Sequence, residues 1–513
     1  MAKNIVICCD GTGNEYGPLN SNVVHLYRAL VQDERQQVCY YHPGVGTQGS
    51  PTSRTRVGAL LSIVAGMGWG AGLLDYVGDA YRFLMEKYEA GDRIYLFGFS
   101  RGAYTVRALS GMLRLYGLLH RGNEGLIAYI LKMFARRTRK AGGMEASFDE
   151  ADGFKATYSR TVEIHLVGVW DTVSSVGMLW DPLKLPYTAR NPIMKHGRHA
   201  VSIDERRCFF INNLWGAPFD GQDIKQVWFA GVHSDIGGGY PAAQAGLSQI
   251  TLQWMLQEAM GLGLLLDIQK AQMVIGRFPP PPPVAPDPGS WIHRSLVGSW
   301  WLLEFLPHGY YDAATKKRLW RIPLGAMRTI PPGSVFHQSV VDKLEVDPTY
   351  KPRNLPADWT QQIEPWEPSP VILQGVAQMP LGVRPWGREV VAPRLSETSE
   401  RPDPQSLAYT LEAEGQSVRD WEFLETMFQP VAVLAPVLLV GSVIYGICKL
   451  FHVDLHQVHF QFMQLRLHLR WLWIPSTVLV VVSLLGVALQ VALKRRIAQT
   501  LSHLKDVGGD HAQ

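Results

Sequence analysis

Cysteine is scarce in this chain. Five stand among 513 residues (Cys8, Cys9, Cys39, Cys208 and Cys448), and no two share a C-x-x-C spacing. A disulfide framework and a structural zinc site are therefore excluded. Charge is scarce as well, at 18% of residues with a net charge of +4. That is too little and too dispersed for a nucleic-acid partner. The first ten residues hold one lysine and a short apolar run ending in Asp10, which is too short for the core of a signal peptide. These absences favour folding in a reducing cytoplasm. No internal repeat is present, and nothing in the sequence calls for a cofactor or a metal.

Apolar residues are plentiful, at 47%, and this length implies more than one structural unit. Over the first 240 residues one pattern recurs: a short apolar run, a turn bearing Gly or Asp, then a helical stretch. Residues 4–9 end in Asp10-Gly11-Thr12-Gly13-Asn14, and residues 38–41 end in His42-Pro43-Gly44-Val45-Gly46-Thr47. Residues 93–97 lead into Gly98-Phe99-Ser100-Arg101-Gly102, and residues 162–169 into Trp170-Asp171-Thr172-Val173. Residues 225–230 lead into Gly231-Val232-His233-Ser234-Asp235. Apolar runs of this kind suit strands buried on both faces, and the helical stretches supply crossovers, so an α/β fold with a mainly parallel sheet is predicted. Ligands of such sheets bind beyond the carboxyl ends of the strands, where all five turns fall.

The third turn carries the sharpest chemical signal. A strand running into Gly-x-Ser-x-Gly and then a helix is the arrangement of a nucleophile elbow. The flanking glycines let strand and helix approach closely while the serine takes a strained conformation. Ser100 is the candidate nucleophile, and its hydroxyl needs a base that is itself oriented by an acid. Asp171 and His233 end the next two predicted strands and would emerge on the same rim, in the order serine, acid, histidine. His337, in Val335-Phe336-His337-Gln338-Ser339-Val340, is the rival base. Asp235 lies too near His233 in sequence to orient it and is expected to brace the Gly237-Gly238-Gly239 turn. The oxyanion donors are expected from the Arg101 N–H and from the Asp10-Gly11-Thr12 loop, with Gly11 as backbone donor and Thr12 adding a hydroxyl. Asp10-Gly11-Thr12 lacks the second aspartate that an aspartyl-phosphate phosphatase would need.

Beyond residue 240 the pattern loosens. Residues 247–268 read as a helix, and 279–283 are a proline run that can only be extended. The Trp- and Tyr-rich stretch 284–345 is expected to cover one side of the domain. Prolines and charges dominate 346–426, which reads as a connector. Residues 427–448 and 471–493 contain no charged residue; each run of about 22 residues would span roughly 33 Å as a helix, enough for a hydrocarbon core. Trp471 and Trp473 mark one boundary. A C-terminal transmembrane hairpin (427–513, with a basic tail) is therefore predicted. Lys494, Arg495 and Arg496 after the second run favour cytoplasmic ends and a cytoplasmic catalytic part. His452, His456 and His459, interleaved with Phe and Leu, read as a membrane-surface stretch rather than a metal site.

Taken in order, the five turns and His337-Gln338-Ser339-Val340 resemble the α/β-hydrolase domain of the type VI secretion lipase effectors and their bacterial and fungal relatives, over residues 3–345. The resemblance implies a triad of Ser100, Asp171 and His233 acting on lipid esters, phospholipids among them. It also implies a secretion-system or immunity partner. The expected protein is a serine esterase or lipase, phospholipase A-like, held in a bacterial inner membrane. Residues 57–74, rich in Gly and apolar side chains, are expected near the acyl chain. A secreted antibacterial lipase toxin and a non-catalytic membrane-anchored binding module with the same fold are the alternatives.

Overall fold

Asn4–Cys9 (β1) is buried along its whole length because it lies between two parallel neighbours, Gln37–His42 (β2) and Arg93–Phe99 (β3). The sheet continues beyond β3 through Ile164–Trp170 (β4), Met194–Ser202 (β5), Asp223–Phe229 (β6), Val335–His337 (β7) and Ile363–Glu364 (β8). The spatial order is β8-β7-β6-β5-β4-β3-β1-β2, and every pair is parallel. The computed structural model describes residues 2–11, 17, 19–44, 69–136, 144–173, 177–178, 181–182, 185–275, 285–297, 300–305, 308–312 and 317–366.

Side chains alternate across the strands and so build two cores. Ile5, Ile7 and Cys9 face a layer that includes Trp69–Lys87 (α2) and Arg101–Tyr116 (α3). Val6 and Cys8 face the other way, towards Asn22–Ala29 (α1) and Gly246–Gly261 (α4). α1 starts where it does because the Ser21 side chain accepts from the Val24 N–H, satisfying one donor the helix cannot. A third cluster joins Val201, Trp228 and Ala230 to Ile330, Phe336, Val340 and Tyr350. This cluster docks the covering segment against the β5–β6 side of the sheet.

β5 is the strand the sequence hides. Lys195, His196, Arg198 and His199 break any apolar run, yet the strand is buried over most of its length. Its polar groups are matched rather than avoided. Arg198 donates from Nε to Glu258 at 2.5 Å and from Nη2 to Asp223 at 2.6 Å, and His199 Nε2 accepts the Thr172 N–H at 3.1 Å. Unmatched, each buried group would cost about 1–3 kcal/mol. The stretch 247–268 is a helix only as far as Gly261, with a second helix at Ile268–Val274. β8 and the Asn354 side chain, which donates to the carbonyls of Ile203 and Arg328, lie within the stretch read as connector. The sheet thus reaches past residue 345.

Among the described residues no helix is long and apolar enough to cross a membrane. The apolar runs 427–448 and 471–493, Thr12, and residues 57–68 of the acyl-side stretch lie outside the described residues.

Candidate active site

Strand β3 ends at Phe99 and helix α3 begins at Arg101, so Ser100 stands alone between them. Its φ of 58° and ψ of −119° put it where side-chain-bearing residues are rarely found, a strain of about 1–3 kcal/mol. The glycines on either side answer to real crowding. A Cβ at Gly98 would fall 2.6 Å from the Gly102 carbonyl, and one at Gly102 would overlap the carbonyl oxygens of Cys9 and Asp10. The Ser100 N–H donates to the Trp170 carbonyl at 3.1 Å, fastening the turn to the end of β4.

Parallel register brings the next groups alongside. Phe99 pairs with Trp170, and Trp170 with Ala200, so Asp171 follows Ser100 one strand over. His233 begins the short helix Gly231 leads into, after β6, and its N–H donates to Glu205 at 3.2 Å. The His233 ring lies between the two predicted partners: Nε2 is 2.8 Å from Ser100 Oγ and Nδ1 is 2.5 Å from Asp171 Oδ2. An ionised carboxylate only accepts, so Nδ1 carries the proton and Nε2 accepts from the serine hydroxyl. The rings of Phe99 and Phe210 flank the imidazole, with centroids at 4.6 and 4.7 Å.

The electrostatics follow from burial and pairing. Burial pushes the His233 pKa down, against the opposing pull of Asp171, so the imidazole is neutral near pH 7. Burial alone would raise Asp171, but the Arg328 guanidinium and the hydrogen bond to His233 outweigh it and hold the carboxyl well below the usual range. Glu205 is likewise buried, yet Arg207 brings it down to about 2. Arg207 donates to both Glu205 oxygens, at 2.9 and 2.8 Å, and its guanidinium lies 3.5 Å over the Phe210 ring.

Three expectations meet a different arrangement. His337 is buried at the end of β7, where Nδ1 lies 2.9 Å from Ser339 Oγ and the ring stacks on Phe229 at 4.6 Å. It caps the helix Gln338–Val346 and is not brought to Ser100. Asp235 does not brace the glycine turn; it accepts the Val232 N–H at 3.0 Å and pairs with His293 Nδ1 at 2.6 Å, because the covering segment supplies that partner. The Gly11 N–H is already engaged, donating to Asp10 Oδ1 at 2.6 Å. Asp10 Oδ2 in turn accepts from Ser21 Oγ and Tyr41 Oη. Arg101 begins α3 directly after Ser100, with its backbone N–H at the helix N-terminus.

Arg328, Glu205, Arg207 and Phe210 are the neighbours the sequence reading missed. Glu205, Arg207 and Phe210 follow β5 and were hidden with it. Arg328 is an isolated arginine in a loop, and no spacing singles it out.

Residues 3–258 match the family described as "T6SS, Phospholipase effector Tle1-like, catalytic domain". A Saccharomyces cerevisiae protein, "Uncharacterized protein YEL023C", is 39% identical over 216 residues, 40% of this chain. The aligned part is 31% of the yeast protein's length. Among solved structures, an uncharacterized protein from Pseudomonas aeruginosa is 21% identical with a TM-score of 0.32, over 52% of this chain and 47% of that one. Thermogutta terrifontis esterase 2, phosphoramylated by tabun, is 14% identical with a TM-score of 0.26, over 52% and 84% respectively.

Proposed function

Since residues 3–258 belong to the Tle1-like phospholipase effector catalytic family, we propose that this chain is a serine hydrolase of lipid acyl esters, phospholipase A-like in its reaction. The observation that supports this most is the His233 ring held between Ser100 and Asp171, with Ser100 in a strained turn. In the proposed reaction Ser100 Oγ attacks the acyl carbonyl while His233 Nε2 takes its proton. Asp171 keeps the imidazole in the required tautomer and stabilises the imidazolium. The Arg101 N–H receives the oxyanion. Collapse of the tetrahedral species expels the alcohol, which leaves with the proton from His233. Water, deprotonated by the same imidazole, then releases the fatty acid and restores Ser100.

A fluorophosphonate probe tests the nucleophile directly. Wild type is expected to label and Ser100→Ala not to, with turnover of phospholipids falling by about four to six orders of magnitude. The base is tested in the same assay: His233→Ala should abolish turnover, and His337→Ala should leave kcat within a few-fold. A wild type that neither labels nor hydrolyses any ester overturns the reading in favour of a binding module. Loss of activity in His337→Ala alone overturns the assigned base.

The charge-free runs 427–448 and 471–493 support a membrane tether, and Lys494, Arg495 and Arg496 after them support a cytoplasmic catalytic part. The effector family's description favours a second reading, a toxin delivered to another cell with a secretion-system or immunity partner. Directed expression separates the two, since a toxin harms cells from the periplasm and a resident enzyme does not.

A further inference from the structure

Asp171 is held by more than the histidine it orients. Its two carboxylate oxygens accept four hydrogen bonds. Oδ1 accepts from Arg328 Nη1 at 2.6 Å and the Ser202 N–H at 3.0 Å; Oδ2 accepts from His233 at 2.5 Å and Arg328 Nη2 at 3.1 Å. The guanidinium is itself fixed from other sides. It donates to Ser202 Oγ at 2.6 Å and, from Nε and Nη2, to the Phe210 carbonyl at 3.1 and 2.5 Å. The Arg328 carbonyl accepts from Asn354, which is anchored at the same time on Ile203 at the end of β5. Residue 328 lies seventy positions past residue 258, where the family match ends.

We propose that Arg328, supplied by the covering segment from outside the matched domain, is the positioning residue of the catalytic acid. This rests on the serine-hydrolase reading above. A fork that binds both carboxylate oxygens fixes the plane of the carboxylate more firmly than the separate contacts from the Ser202 N–H to one oxygen and from His233 to the other. Through the Phe210 carbonyl the same guanidinium also fixes the residue whose ring stands against His233. Its charge has a further effect. The charged groups facing this imidazole are Asp171 with Arg328 and Glu205 with Arg207, while neutral His199 lies behind Asp171. Each carboxylate thus carries its own arginine. An Asp171 charge matched in this way stabilises the imidazolium less than a bare one would, so the base stays neutral to lower pH.

Two variants of the full chain test this on a soluble short-chain ester. Arg328→Gln removes the charge, and the acid limb of kcat/KM is expected to move up by about one pH unit. Arg328→Lys keeps a charge but cannot hold both oxygens. Its limb should stay near wild type while kcat falls by about 10²-fold at unchanged KM. A merely structural arginine predicts equal losses in both variants with neither limb moved, and that result overturns the proposal. If Arg328→Gln does not fold, Arg328→Lys decides alone: wild-type kcat overturns the proposal. These failures are distinct from failure of the hydrolase reading, in which wild type itself neither labels nor turns over.

Discussion

Ser100 stores strain where its chemistry is proposed to lie. A residue with a side chain held at a φ of 58° destabilises the fold, and the close packing around Gly98 and Gly102 keeps the turn in place. Removing the side chain removes the penalty, because glycine reaches positive φ without a Cβ clash. Ser100→Gly is therefore expected to be inactive yet more stable, by about 1 kcal/mol or somewhat more. Urea unfolding followed by circular dichroism measures this as a raised midpoint at unchanged slope. A lowered midpoint would mean that the hydrogen bond from Ser100 to His233 contributes more stability than the backbone strain removes. Asp171 also has positive φ, at 36°, but its carboxylate is bound to Arg328, so no such gain is expected there. Removing it would strand a buried guanidinium, at a cost of about 3–5 kcal/mol.

At the scale of elements, legibility followed hydrophobicity. Strands β1 to β4 and β6 were readable because each contains a mainly apolar run, only Val227-Trp228-Phe229 in β6, and their turns carry Gly or Asp. The order of Ser100, Asp171 and His233 came with them. β5 was not readable, because burial there is achieved by pairing Arg198 and His199 rather than by apolar side chains. β7 and β8 were not readable either, since three and two residues carry no periodicity. The loss of β5 hid Glu205 and Phe210, and with them the setting of Arg328. The same strategy has a thermodynamic consequence. Burial lowers His199 on β5 and His337 on β7 from 6.5 to about 3. Both are neutral when folded, whereas the unfolded chain takes up protons as pH falls below 6.5. Their stability contribution is thus complete above that pH and lost on acidification towards 3, at about 1.4 kcal/mol per unit for each. Denaturant midpoints should fall steeply between about pH 6.5 and about pH 4. His337→Gln should flatten that dependence by the share of one histidine; an unchanged slope would mean that His337 is protonated in the fold.

At the scale of the whole molecule, the covering segment links the proposed triad to the outer surface. Phe210 stands against His233, and Trp300 packs on Phe210 with ring centroids 5.4 Å apart. Beside Trp300, the side chains of Trp301, Phe305 and Leu324 are 38%, 59% and 55% exposed. The Leu324 N–H donates to the Glu304 carbonyl at 3.1 Å, which holds the two stretches side by side. In the proposed reaction on lipid esters, these neighbouring exposed apolar side chains are expected to meet the bilayer that contains the substrate. Burying each such side chain is worth about 1.5–3 kcal/mol, so losing two weakens attachment by at least about tenfold. The double variant Phe305→Asp/Leu324→Asp is therefore expected to hydrolyse phospholipid vesicles at least about tenfold more slowly and a soluble short-chain ester at the wild-type rate. The split between the two substrates is the decisive reading. Equal losses on both would place these side chains in the support of the triad, and no loss on vesicles would leave the bilayer contact to other parts of the chain.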